Sequence, residues 1–361
     1  MPADLREARQ AGVRALLAAE GVESLLVSHL PNIRYLTGFT GSAGLLLLEP
    51  DGAVLFTDFR YATQAPAEVG DAAEVEIDSA SVWERLKHRC ADRPDRTVGF
   101  EAHSLTVRDA GRLKKCARRT APVGELVEGL RAVKAPEEVA AIAAAAELAS
   151  AALAEVLPTV RPGQSELLVA SRLEAALRRR GSEWHPFQTI VASGPRSALP
   201  HAHTTERVIG AGEFLLIDFG AQVDGYCADL TRTVVVGGRA DARQREVYQA
   251  VHAAQWRARR EIRAGMTGRE ADALARDLLV ARGFGEAFGH SLGHGLGLEV
   301  HEAPRLSATA EAVLPVGAVV TIEPGLYLPG WGGVRLEDDI VLTAAGPQAL
   351  SDGRTELVEL V

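Results

Sequence analysis

Four carboxylates stand where an apolar sequence should not tolerate them. In "LLIDFGAQVDGYCADLTRT" Asp218 lies inside an apolar run, and Asp229 follows on the far side of the turn signal Asp224-Gly225. An unpaired carboxylate in such a run is costly. If the hairpin closes at or one residue before Asp224-Gly225, positions 218 and 229 fall opposite or diagonal on one face, a few ångströms apart. Glu323 repeats the anomaly at the end of "GAVVTIEPG", and Glu337 does so in "GVRLEDDIVL". Like charges this close cannot all stay ionised unless a cation or a proton intervenes. The plain alternative has Asp218 capping a turn, Asp229 facing solvent and Glu323 salt-bridged at a strand end. Glu337 would then join Asp338 and Asp339 in a solvent-facing acidic patch. All four parts must hold together for a metal reading to fail.

A second anomaly is "GHSLGHGLGLEVHE", residues 289–302, where His290, His294 and His301 sit in a glycine-rich run. A packing role explains it poorly, because glycine brings no side chain to a core and costs backbone entropy. Four carboxylates with an imidazole are too anionic for a structural zinc site, which prefers Cys and His. Two divalent ions would neutralise them. Oxygen-rich ligation favours manganese, with cobalt, iron and zinc left open. Two metals about 3.5–4 Å apart can share a bridging hydroxide, a strong nucleophile near neutral pH. The chemistry implied is hydrolysis at a carbonyl.

These residues need a frame. The first third alternates helix and strand: "LREARQAGVRALLAAEG" has helical periodicity, while "VESLLVSH", "AGLLLLEP", "GAVLFTD" and "RTVGFE" read as strands. Pro50-Asp51-Gly52 marks a hairpin turn, and a further helix ends in "RLKKCARR". The texture changes between residues 121 and 137, where Pro136-Glu137-Glu138 is a good helix start. Two α/β domains are expected, residues 1–130 and 131–361. In the second, a long Ala-rich helix starting at Pro136 and running through "VAAIAAAAELASAALAEVL", and a second helix "ELLVASRLEAALRRRG" ending at Gly181, precede the strands "QTIVAS", "EFLLIDFGAQ" and "YCADLTRTVVV". Helices at 241–263 and 268–282 then precede "AVVTIEP" and "GGVRLEDDIVLT", each read as one strand. This repetition hints at a pseudo-twofold arrangement.

Bulk properties bound the answer. The chain of 361 residues is 47% hydrophobic and 24% charged, ordinary for a globular protein. A net charge of −9 argues against nucleic acid or an anionic membrane surface as partner. Cys90, Cys116 and Cys227 form no CxxC and cannot all pair, which suits a reducing compartment. The charged start "MPADLREARQ" shows no secretory pattern, and no run of about 18 apolar residues suggests a membrane span. A cytoplasmic location is expected.

The ordered set "IDFG", "ADLTRT", "GHSLGHGLGLEVHE", "TIEPGLY" and "GVRLEDD" resembles the metal-dependent aminopeptidases of pita-bread fold, and among them the Xaa-Pro peptidases, aminopeptidase P and prolidase. The likeness spans roughly residues 135–361. It extends more loosely, through "PNIRYLTGFTGSAG" and "FTDFRY", to a creatinase-like N-terminal domain. The resemblance implies Asp218, Asp229, His294, Glu323 and Glu337 as metal ligands, with Asp229 and Glu337 bridging two ions. It makes Glu323 a proton shuttle as well. It places His290 and His301 on the pocket wall, holding the scissile carbonyl and the substrate proline. His201 in "SALPHAHTTER" matches the family's upstream catalytic histidine, with His203 the competing choice. Arg335 and Tyr327 would support the ligands by hydrogen bonding. Cys227 shares a face with Asp229 by strand parity and reads as a buried small hydrophobe.

The implied activity is release of an N-terminal residue from peptides with proline second, proline-containing peptides being the substrate. The nearest competitor is a prolidase restricted to dipeptides, which must also hold a free carboxylate; Arg60 and Arg34 are candidates. Methionine aminopeptidase would not need the N-terminal domain, and creatinase would not need five intact ligands. A non-catalytic peptide-binding protein on the same scaffold would be expected to lose ligands. A homodimer or higher assembly is expected.

Overall fold

The computed structural model describes residues 3–78, 81–351 and 355–361. The chain divides into two compact units, Met1–Arg131 and Ala132–Val361. Both mix helix and strand, as the sequence pattern implied.

The first unit is built on a six-stranded sheet, in spatial order Glu74–Asp78, Gly52–Asp58, Leu45–Glu49, Ser24–Val27, Thr97–Glu101 and Arg119–Val123. The hairpin at Pro50-Asp51 forms as expected, with Glu49 opposite Gly52. "LLLLE" is buried on both faces. Leu45 and Leu47 meet Phe56 and Leu86 in one cluster, which explains an apolar run without alternation. The helix Val107–Cys116 stops earlier than "RLKKCARR" suggested. Arg119 instead begins an edge strand parallel to Thr97–Glu101. A short helix, Leu30–Thr37, takes Pro31 in its first turn and closes on Gly38 at φ 85°.

In the second unit the long helix Pro136–Val156 starts as expected, the Glu138 carboxylate reaching back to the Ala135 N–H at 2.9 Å. Among the described residues, Pro136–Thr159 is long and apolar enough to cross a membrane by length and composition. Its alanine face explains the composition, because Ala145, Ala149 and Ala152 pack with Ile217, Phe219 and Leu230 in a protein core. Ser165 caps the next helix, Glu166–Arg180, at the Leu168 N–H.

A four-stranded sheet orders Val358–Leu360, Tyr226–Val236, Glu213–Val223 and Ile190–Ser193. A five-stranded antiparallel sheet orders Glu302–Leu306, Gly293–Gly295, Val319–Ile322, Asp338–Thr343 and Gly346–Ala349. The helices Ala242–Glu261 and Gly268–Ala281 open on capping boxes, Asp241 with Gln244 and Thr267 with Glu270. They pack on apolar residues of the second sheet, Val320, Ile322 and Ile340 among them. One expectation fails here. "GGVRLEDDIVLT" is two strands, Gly332–Arg335 and Asp338–Thr343. The first pairs with Gly325–Leu328 and the second with Val319–Ile322, so the chain changes partner at Leu336-Glu337.

Candidate active site

The strands Glu213–Val223 and Tyr226–Val236 close on a two-residue turn, Asp224-Gly225, with φ of 49° and 77°. Positive φ at both positions is the primed hairpin turn that matches strand twist. The register puts Gly220 opposite Asp229 and Asp218 opposite Thr231, so the two aspartates are diagonal neighbours on one face. The other face carries Ile217, Phe219, Ala228 and Leu230 into the helical core. Parity therefore aims both carboxylates away from the helices and into the space where the rest of the site gathers.

Glu323 follows the strand Val319–Ile322, its N–H bonded to the Leu292 carbonyl at 2.9 Å. Glu337 sits at the strand break, donating its N–H to the Thr231 carbonyl at 3.1 Å. Two threonines orient the glutamates. The Thr231 hydroxyl donates to Glu337 Oε2 at 2.6 Å, and the Thr321 hydroxyl donates to Glu323 Oε1 at 3.3 Å. His294 lies on Gly293–Gly295 with Nε2 3.3 Å from Glu323 Oε1 and 3.9 Å from Asp229 Oδ2. Asp229, His294 and Glu337 each offer an atom within 4.8 Å of the others. The glycines around His294 allow close strand packing. A Cβ at Gly293 would stand 2.0 Å from the Thr321 carbonyl oxygen, and one at Gly295 2.2 Å from that of Ala303.

Burial first, then repulsion by Glu337, Asp218 and Glu323, drives the Asp229 carboxyl well above the usual carboxylate range. Burial and Glu323 do the same to Glu337. Burial lifts Glu323 to about 8 and also raises Asp218, which Arg335 partly offsets. Burial and the neighbouring His301 push His294 down to about 4. Its Nδ1 faces the Gly295 carbonyl at 3.1 Å; a carbonyl only accepts, so Nδ1 carries the proton and Nε2 keeps its lone pair. Asp218 Oδ1 and Asp229 Oδ1 are buried and meet no hydrogen-bond donor. Bare oxygens and a bare imidazole nitrogen facing one another are the donor set a divalent cation requires. The residues present fit such ions.

A polar chain braces this set. Arg335 donates to Asp218 Oδ2 at 2.5 Å, to Thr231 Oγ1 at 3.1 Å and to the Tyr327 hydroxyl at 2.7 Å. Tyr327 lies 3.0 Å from His290 Nε2, and His290 Nδ1 lies 2.8 Å from the Ser291 carbonyl. The second contact protonates Nδ1, so Nε2 accepts the Tyr327 proton. Burial holds His290 near 4, the neutral form this arrangement needs. Both ring nitrogens are thereby engaged by the protein, which leaves His290 poorly placed to donate to a scissile carbonyl.

Asp218, Asp229, His290, His294, Glu323 and Glu337 line one cavity of about 370 Å³, and His201, His203, His301 and Arg335 share its wall. His201 is close enough for its charge to act on Asp218, His290 and His301. The His203 carbonyl is tied to Arg196. The His301 ring stands 4.3 Å from that of His294. Cys227 is buried with Ile142, Leu296 and Val319, and its thiol is pushed up to about 12, a small hydrophobe as expected. Asp338 and Asp339 are both 0% exposed, so they form no solvent-facing acidic patch with Glu337. Asp339 accepts the Asp229 N–H at 3.1 Å, and Asp338 is gripped by Arg232 and Arg259, each at 2.8 Å. Sequence reasoning missed this bracing and both threonines. Parity was the available signal: Thr231 is two residues after Asp229, and Thr321 two before Glu323.

Residues 140–344 match the metallopeptidase family M24, and residues 9–133 match the creatinase/prolidase N-terminal domain. The chain is 34% identical over 340 residues to an Xaa-Pro dipeptidase of Pyrococcus horikoshii, covering 93% of this chain and 95% of that one. Among solved structures, an Xaa-Pro dipeptidase from Bacillus anthracis superposes with a TM-score of 0.95 at 40% identity, over 98% of this chain and all of that one (100%). An X-Pro aminopeptidase from Thermotoga maritima superposes with a TM-score of 0.89 at 35% identity, over 97% and 99%. With these likenesses added to a carboxylate and histidine cluster suited to divalent ions, the chain belongs to the M24 metallopeptidases of pita-bread fold, on the Xaa-Pro peptidase branch that holds prolidases and aminopeptidase P.

Proposed function

We propose that this chain is an Xaa-Pro aminopeptidase in which Asp218, Asp229, His294, Glu323 and Glu337 would hold two divalent ions, Asp229 and Glu337 serving both. One observation carries the reading: the buried Oδ1 atoms of Asp218 and Asp229 meet no hydrogen-bond donor, and His294 Nε2 lies 3.3 Å from Glu323 and 3.9 Å from Asp229 on the wall of the same cavity. When bound, the ions supply Lewis acidity at a carbonyl and an acidified water to attack it, manganese being the first choice for an oxygen-rich set.

The remaining steps belong to side chains. Glu323 stands where it can take the proton of the attacking water and pass it to the leaving proline nitrogen. His201, on the cavity wall, donates to the carbonyl oxygen as charge develops there, with His301 beside it. His290 acts by holding Tyr327 and Arg335 in line and by walling the proline side of the cavity. Proline has a fixed ring and no N–H, and Phe187, Ile190 and Pro200 offer that ring an apolar surface.

The length of the substrate separates two readings. Arg335 is the one arginine or lysine among the described lining residues, and it is committed to Asp218, Tyr327 and the Pro200 carbonyl. Arg60 is committed too, forking onto Asp58 at 2.9 and 2.7 Å. A free substrate carboxylate finds no uncommitted guanidinium on this wall, which favours longer peptides. The dipeptidase reading has its own support, because His201, His203 and His301 on the same wall could take a carboxylate. The test is to strip the chain with chelator, restore manganese, and compare Ala-Pro, Ala-Pro-Ala and a longer Xaa-Pro peptide. Cleavage of the longer peptides upholds the aminopeptidase; cleavage of Ala-Pro alone makes the chain a dipeptidase. No cleavage with any divalent ion sinks both. We further propose a cytoplasmic homodimer or higher assembly: the three unpaired cysteines suit a reducing compartment, and light scattering at micromolar concentration tests the assembly.

A further inference from the structure

We propose that the first unit carries a metal site of its own, formed by His29, His103 and Glu128, that takes a borderline divalent ion, zinc before others. The three residues come from separate elements. His29 is the cap residue before the helix Leu30–Thr37, His103 follows the strand Thr97–Glu101, and Glu128 lies in the helix Leu126–Arg131. The fold converges them: His103 Nε2 is 3.0 Å and His29 Nδ1 3.7 Å from Glu128 Oε1, and one atom of each lies within 4.8 Å of the others. Tetrahedral zinc with bonds of about 2.0–2.1 Å needs ligand atoms roughly 3.3 Å apart. The observed separations to Glu128 bracket that value, and the two imidazole nitrogens lie within 4.8 Å of one another, so an ion could enter by side-chain adjustment alone. The imidazole rings are 5.9 Å apart and nearly perpendicular (83°), edge-on rather than stacked.

The surroundings hold these groups as a ligand set needs. Glu101, 2% exposed, accepts the Ser28 and His29 N–H groups at 2.7 and 2.8 Å and the Asn32 side-chain amide at 2.7 Å. Asn32 also donates to Glu128 Oε1 and is itself held by Arg131 at 2.7 Å. Partners of this kind orient metal-binding residues wherever such sites are rigid. Burial works to raise the Glu128 carboxyl, but the neighbouring His29 imidazole and the Asn32 hydrogen bond outweigh it and leave the group at about 2, ionised at neutral pH. Its second oxygen, Oε2, is buried and has no hydrogen-bond partner. Both imidazole contacts fall on Oε1, so hydrogen bonding within the trio leaves Oε2 unmet; an ion held by both carboxylate oxygens and the two imidazoles would answer it. Two imidazoles and one carboxylate form a zinc set with a vacant fourth position, unlike the oxygen-rich cluster of the second unit. The His103 side chain is 29% exposed, which gives water access to that position. An ion here would clamp three elements of the first unit together and stabilise it by binding only the folded form.

The test uses the full chain. Wild type and His103→Ala are stripped with chelator, dialysed against zinc, and assayed for bound metal by mass spectrometry. Wild type is expected to hold one zinc per chain more than His103→Ala, with equal manganese-restored peptidase activity in both. Zinc should also raise the melting temperature of the first unit in wild type and leave that of His103→Ala unmoved. Glu128→Gln, which keeps shape and removes the charge, should lose the same equivalent. Equal zinc content in wild type and a folded His103→Ala overturns the proposal, as does a zinc-induced shift of the first unit that both share.

Discussion

Replacing Asp338 by asparagine tests the idea that a buried charge cluster clamps the strand on which Glu337 depends. Asp338 is 0% exposed. It accepts from Arg232 at 2.8 Å, Gln255 at 2.5 Å and Ser351 at 2.6 Å, and pairs with Arg259 at 2.8 Å. Asparagine keeps the volume, removes the charge, and turns an N–H toward groups that are themselves donors. Removing one partner of a buried ion pair costs about 3–5 kcal/mol, because the other charge is left uncompensated. The Arg232 and Arg259 side chains are 12% and 18% exposed, so water screens them in part and the lower figure, about 3 kcal/mol, applies. For a unit of this size that is a fall of roughly 6–12 °C in melting temperature. Calorimetry on Asp338→Asn reads it directly. Glu155→Gln, which loses an exposed pair with Arg179 and Arg180, serves as the control and should leave the transition in place. Arg232 also donates to the Glu337 carbonyl at 2.6 Å, so metal affinity should drop by about 10–100-fold. A melting temperature lowered by less than about 2 °C would refute the reasoning, since a charge worth so little cannot be clamping anything.

Three further outcomes are expected. Asp229→Ala should abolish loading of the catalytic ions and peptidase activity together; an active variant still holding both ions contradicts the assignment. Gly293→Ala should lower stability by about 3 kcal/mol or more, since its Cβ would meet a backbone oxygen that no rotamer can move; a urea midpoint within error of wild type would disprove this. At pH 8 the native chain should react slowly with Ellman's reagent at Cys90 and Cys227, because burial lifts their thiols to about 11 and about 12. A raised thiol value leaves little thiolate until the pH approaches it, so the rates should climb as pH rises and jump on unfolding. Fast labelling of Cys227 in the native chain at pH 8 would count against its burial.

The α/β character, the helix starts at Pro136 and at residue 268 and the Asp224-Gly225 hairpin were all legible, because each rests on neighbours a few residues apart. So was the anomaly of Asp218, Asp229, Glu323 and Glu337, since a carboxylate in an apolar run is visible without coordinates. Thr231 and Thr321 were legible in principle and overlooked, their parity with Asp229 and Glu323 being a local fact. The strand break at Glu337 was not, because "GGVRLEDDIVLT" satisfies strand propensity throughout and nothing local says that pairing changes from Gly325–Leu328 to Val319–Ile322.

The sequence by itself determined which residues could do chemistry, through their type and their misfit with what surrounds them. Only the tertiary structure decided what each could do with it. His290 and His294 sit in the same short run and are chemically identical. One has both nitrogens engaged, by Tyr327 and the Ser291 carbonyl, and the other keeps Nε2 bare beside Glu323 and Asp229. Likewise Asp338 and Asp339 differ from an exposed acidic pair chiefly through Arg232, Gln255, Arg259 and Asp229, partners about eighty or more positions away. Periodicity and turn chemistry act over a few residues, whereas the partner of a ring nitrogen or a buried carboxylate is chosen by how sheets and helices close on one another.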